Sequence, residues 1–78
     1  MTPAPHVPLR LIVANRLIDL RKHSEETQVA VAQAVHILPS ALSMYENGRR
    51  DPDLAVLVRL ARHYRVPLSK IVSEKDLR

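Results

Sequence analysis

The 78-residue sequence contains no cysteine, no phenylalanine and no tryptophan, and it holds a single glycine, Gly48. Without cysteine there is neither a disulfide framework nor a cysteine-based zinc site, so stability must come from apolar packing. Without the two largest aromatic types that packing is aliphatic, with only Tyr45 and Tyr64 to add. No apolar run approaches the roughly 18 residues that read as a membrane span, and the opening MTPAPHVP lacks a basic segment followed by an apolar one. The chain therefore reads as a soluble, cytoplasmic protein without a membrane partner. His6, His23 and His63 lie far apart and lack helical partners four residues away, which leaves no metal set. No cofactor motif appears, and no small-molecule substrate is implied.

What is present is a basic surplus. The net charge is +4 and the isoelectric point about 10.1. Such a balance suits an anionic partner such as nucleic acid, although surplus lysine and arginine also serve merely soluble surfaces. The length allows one small domain with a modest core, in which an elaborate catalytic cleft is not expected.

Pro3, Pro5 and Pro8 punctuate a flexible N-terminal arm over residues 1–8. From Leu9 to Lys22, Leu9, Val13, Leu17 and Leu20 recur at three- and four-residue spacing and mark the buried face of a first helix. Leu11 and Ile18 form a second apolar line, either a broadening of that face or a surface for a partner. Thr27 caps a second helix from Gln28 to about Val35, whose valine and alanine pattern also has strand character. Pro39 suits the first position of a third helix, which must end at Gly48. Asp51-Pro52-Asp53 is a turn with an N-cap before a fourth helix marked by Leu54, Leu57, Leu60, Ala61 and Tyr64. Val66-Pro67 precedes a short fifth helix with Leu68, Ile71 and Val72. The expected fold is all-α, a compact bundle of five short helices over residues 9–72, with a C-terminal tail over 73–78.

The spacing from Gln28 through Val31-Ala32, Ile37, Leu42-Ser43 and Tyr45-Glu46-Asn47-Gly48 to Pro52 resembles the helix-turn-helix of the Cro/C1-type family, also called the xenobiotic-response-element family. Its most specific piece is Glu46-Asn47-Gly48, which begins eighteen residues after Gln28. The resemblance runs from about Leu17 to Val72 and places the motif at residues 28–47. It implies a lambda-repressor-like domain of bacterial or phage origin that binds double-stranded DNA as a homodimeric transcriptional regulator. The second motif helix then lies in the major groove while the first spans the backbone.

The same resemblance distributes roles along the motif. Thr27 and Gln28, at a helix N-terminus, are expected to meet a phosphate, with Thr27 a cap in either case. Asn47, Arg49 and Arg50 are expected to clamp a second phosphate; the alternative is that the arginines are solvated loop charges. Glu46 is expected to pair with Arg21 of the first helix. Leu42 and Tyr45 belong to the core, which leaves Pro39, Ser40, Ser43 and Met44, with Ala41 at their flank, to face the bases.

Four positions depart from the family pattern. His36 stands where the turn often has glycine and must take a left-handed conformation, which His tolerates better than most residues. Leu38 replaces a capping Ser or Thr, a loss of about 1 kcal/mol, partly offset by Pro39. Glu25 and Glu26 replace a glycine and an aliphatic. The base-facing surface also lacks Arg, Gln, Asn and Lys before Asn47, so reading is expected to rely on apolar contact, water and DNA shape as well as direct hydrogen bonds. The competing reading is a protein-interaction module that keeps the fold as scaffold. An enzyme is the third class: Ser40, Ser43 and His36 can be arranged into a triad only on paper, so catalysis is not expected. The dimer surface is expected near Leu68, Val72 and the tail SEKDLR.

Overall fold

The structure is a computed structural model that describes residues 7–77, and every regular element among these residues is helical. Helix α1 spans Leu9–Ser24, α2 Gln28–Ala34, α3 Pro39–Glu46 and α4 Leu54–Tyr64, followed by 3-10 turns at Leu68–Lys70 and Glu74–Leu77. The five-helix bundle expected from the sequence forms, with its fifth segment wound as a 3-10 turn. There Pro67 and Leu68 accept the N–H groups of Lys70 and Ile71 at three-residue spacing, the pattern of a tight turn. Residues 1–6 of the expected arm lie outside the described residues.

The helix starts follow the cap chemistry. The Thr27 hydroxyl accepts the Ala30 N–H at 3.1 Å, and an Asp53 carboxylate oxygen accepts that of Val56 at 2.9 Å. Helix α3 has no side-chain cap at Leu38 and begins on Pro39, whose missing N–H leaves one orphan donor fewer. The turns show the cost of having one glycine: Glu25, His36 and Arg65 all hold positive φ, at 58°, 60° and 56°. Helix α1 runs to Ser24, two residues beyond the expected Lys22, and Glu25 closes it, its N–H returning to the Lys22 carbonyl. Gly48, at φ 71°, also answers to space, because a Cβ there would run into Leu11 Cδ2. One member of the second apolar line thus lies over the turn after α3.

Leu17, Val31, Leu42, Leu60 and Ile71 are fully buried, and they tie α1, α2, α3, α4 and the chain after the first 3-10 turn into one core. Burial of each such side chain contributes about 1.5–3 kcal/mol. In α4 the expected core position Leu54 is instead exposed, and Val56 is buried in its place. Leu54 is the first helical residue after Asp53, where the chain still faces outward, whereas Val56 and Leu60 stack one turn apart toward the core.

The expected tail is also tied down. Arg16 Nη1 donates to Asp76 Oδ2 at 2.6 Å and Nη2 to Oδ1 at 2.9 Å, a two-pronged pairing, and Nη1 also reaches the Ile71 carbonyl at 3.0 Å. The Arg16 hydrogen bonds, aided by the Ser73 N–H, hold the Asp76 carboxyl at about 2, below its ordinary 3.8. Because the folded value is the lower one, this pair stabilises the fold above pH 4 and ceases to do so as pH falls toward 2. Urea midpoints measured across that range are expected to fall for the wild type, while Asp76→Asn starts lower at neutral pH and meets the wild type at the acid end.

Candidate nucleic-acid interface

Helix α3 is held in place by a buried carboxylate. Glu46, at the end of α3, is 4 % exposed, and three groups share its charge. Arg21 Nε donates to Oε2 at 2.8 Å and to Oε1 at 3.1 Å, while Nη2 donates to Oε1 at 2.9 Å. Gln28 Nε2, on the first residue of α2, donates to Oε1 at 2.9 Å. The remaining arm of Arg21, Nη1, reaches the Glu26 carbonyl at 3.2 Å. One acid thus joins α1, α2 and α3, and its hydrogen bonds raise Arg21 above the ordinary guanidinium range. The expected Arg21–Glu46 pairing is present, and its extension to Gln28 is additional. Tyr64 lies in the same electrostatic neighbourhood: burial, reinforced by the charges of Glu46 and Glu26, pushes its phenol up to about 12.

With α3 fixed by Leu42, Tyr45 and Glu46 on its inner side, its outer side carries the residues expected there. Pro39, Ser40 and Met44 are exposed and Ser43 is half-buried, while Ala41, at the flank, is half-buried and packs against the core. The Ser43 hydroxyl accepts from Asn47 Nδ2 at 3.4 Å, so the one polar link on this face runs along the helix toward its C-terminus. The surface is short, mostly uncharged and formed by small side chains. It can approach a groove wall closely and offers two hydroxyls and a thioether rather than long hydrogen-bonding arms.

Because Gln28 bonds Glu46, the start of α2 meets the end of α3, next to Asn47. Arg49 and Arg50 follow on the exposed turn, and neither has an ion-pair partner among the described residues. Thr27 is exposed but its hydroxyl already serves as a cap, and Gln28 has committed one amide hydrogen to Glu46. Both have less side-chain capacity to spare than the sequence suggested.

Sequence reasoning missed a second polar bridge. Glu26 Oε1 and Oε2 lie 2.8 and 3.0 Å from His63 Nε2, which links the turn before α2 to the end of α4. The only signal was Glu26 in a place where an aliphatic is usual. His63 stands 37 residues away, beyond any local pattern. Among the described residues no group of three His, Cys, Asp or Glu side chains could hold a metal ion.

Two helices joined by a left-handed turn, with α3 presented outward and locked from behind, define a helix-turn-helix domain. Residues 17–71 match the family model described as Helix-turn-helix, and the chain belongs to that family, of Cro/C1 type. It is 29 % identical over 63 residues to the cryptic phage CTXphi transcriptional repressor RstR of Vibrio cholerae, a match over 81 % of this chain and 57 % of the relative. The chain thus spans a little over half the length of that curated relative. Among solved structures, the clp gene regulator ClgR from Corynebacterium glutamicum superposes with a TM-score of 0.83 at 22 % identity, over 87 % of this chain and 72 % of that one. The restriction-modification controller protein C.AhdI from Aeromonas hydrophila gives 0.76 at 21 % identity, over 80 % and 94 % of the two chains. These likenesses confirm the fold.

Removing the acid leaves Arg21 facing Gln28 with no counter-charge. Glu46→Ala is expected to cost about 3 kcal/mol in urea unfolding, and the apolar replacement Arg21→Met with Glu46→Leu to recover most of it.

Proposed function

We propose that the protein binds double-stranded DNA with sequence preference, as a homodimer, and regulates transcription. Helix α3 enters the major groove, where Pro39, Ala41 and Met44 pack against thymine methyl groups and Ser40 and Ser43 bond base edges directly or through water. Asn47, Arg49 and Arg50 hold one stretch of backbone, with Thr27 and Gln28 beside them. The observation that supports this reading is an outward helix locked from behind by Glu46, whose bond to Gln28 brings the start of α2 beside Asn47.

RstR is a transcriptional repressor, which supports the same reading. Two copies place their α3 helices in successive major grooves about 34 Å apart. The half-exposed Leu68 and Val72, beside the second 3-10 turn, are the surface we assign to pairing. The protein acts in the cytoplasm and by binding rather than catalysis. No helix among the described residues is long and apolar enough to cross a membrane.

Enrichment of duplexes from a random pool, followed by sequencing, is expected to return a two-fold symmetric site. Retention of no duplex at low salt would sink the proposal. On the selected site, Arg49→Ala with Arg50→Ala is expected to weaken binding to all sequences alike and to reduce the salt slope by about 2. Ser40→Ala or Met44→Ala should instead change the selected bases.

A further inference from the structure

Away from the residues assigned to DNA, a cleft of about 400 Å³ is lined by Ala34, His36, Arg59, Arg62 and His63. This size suits a small molecule. Its lining is cationic: Arg59 and Arg62 bring two guanidinium groups, and neither has an acidic partner among the described residues. The Nε atom of Arg59 is buried and has no acceptor among the described residues. A buried donor of this kind is ordinarily met by protein, water or a ligand oxygen. The acid that bonds a residue of this cleft is Glu26, and both its oxygens are taken up with His63 Nε2.

We propose that this cleft binds a small phosphorylated ligand through its phosphoryl group. Arg59 and Arg62 stand three residues apart on α4, a spacing that puts neighbouring side chains on one helix face. Two guanidinium forks offer more donors than the two oxygens of a carboxylate use, whereas a phosphoryl group presents three oxygens to them at once. Of the groups assigned to the DNA rim, none lies in this cleft, and α4 supplies nothing to that rim.

The cleft reaches the recognition helix through His36. This residue forms the left-handed turn between α2 and α3, and it is also part of the cleft wall. A ligand that contacts its ring bears on the angle between the two motif helices. That coupling rests on the DNA-binding reading, whereas occupancy of the cleft does not.

The test is amide NMR of the isotopically labelled full chain, titrated with inorganic phosphate and with adenosine 5′-monophosphate at fixed ionic strength, with acetate as control. Saturable shifts at Ala34, His36 and residues 59–63 are expected with both phosphates and not with acetate. Arg59→Gln with Arg62→Gln should weaken binding at least tenfold, and Arg59→Lys should weaken it less, because charge is kept and the fork is lost. An unchanged amide dispersion elsewhere in the spectrum shows that each variant is folded. The proposal is overturned by absent or non-saturable shifts, by an equal response to acetate, by undiminished binding in the folded double variant, or by shifts centred on Asn47–Arg50. It is overturned as well if a duplex displaces phosphate from Arg59 and Arg62, for the cleft would then be part of the DNA surface. Saturable phosphate binding by a protein that retains no duplex would support the cleft and reject the DNA-binding reading.

Discussion

The carboxylate of Glu46 is the constraint on which the arrangement depends. A charge 4 % exposed is tolerable only if it is surrounded by donors, and here Arg21 and Gln28 supply them from two other helices. The consequence is geometric more than energetic. A buried pair often stabilises no better than an apolar replacement, but it demands particular distances and directions. Leu42 and Tyr45 would bury α3 over a range of small slides and rotations, whereas the forked contact with Arg21 selects one of them. What α3 presents to the outside is then fixed by an interaction on its inside.

The outward surface gains from this fixation. Small side chains read a groove only if the backbone that carries them is brought close and held there, because they lack the reach to compensate for a poor approach. Ser40, Ser43 and Ala41 therefore make sense on a helix whose orientation is set by Glu46 and Gln28. The same network brings Asn47 to the side of α2 where Gln28 begins, so that the helix anchor and the backbone clamp we propose are built from adjacent residues.

Much of this was legible because it is local. Periodicity marked α1 and most of α4, Pro39 and Gly48 bracketed α3, and cap chemistry at Thr27 and Asp53 set two starts correctly. The Arg21–Glu46 pair was legible through resemblance rather than through spacing, since no local rule connects residues 25 apart. Leu54 misled because an apolar residue at the first position of a helix satisfies the period without facing the core. The Arg16–Asp76 and Glu26–His63 bridges were hidden for a simpler reason. Each joins segments that meet only after the core around Leu17 and Leu60 has formed, and each uses residue types that look ordinary on a solvated surface. The cleft beside α4 was invisible for the same cause, as its arginines read as the polar face of an amphipathic helix.

The three left-handed turns built without glycine carry a further meaning. Glycine would relieve each of them, at Glu25, His36 and Arg65, but it would leave the corner chemically blank. With side chains there, the chain accepts strain at the places where its direction changes and gains an acid, an imidazole and a guanidinium in return. Its corners are thus functional groups in their own right. In a domain this small, where most helical positions are committed either to the core or to the rim, such corners are among the few sites at which new chemistry can be added without redesigning a helix.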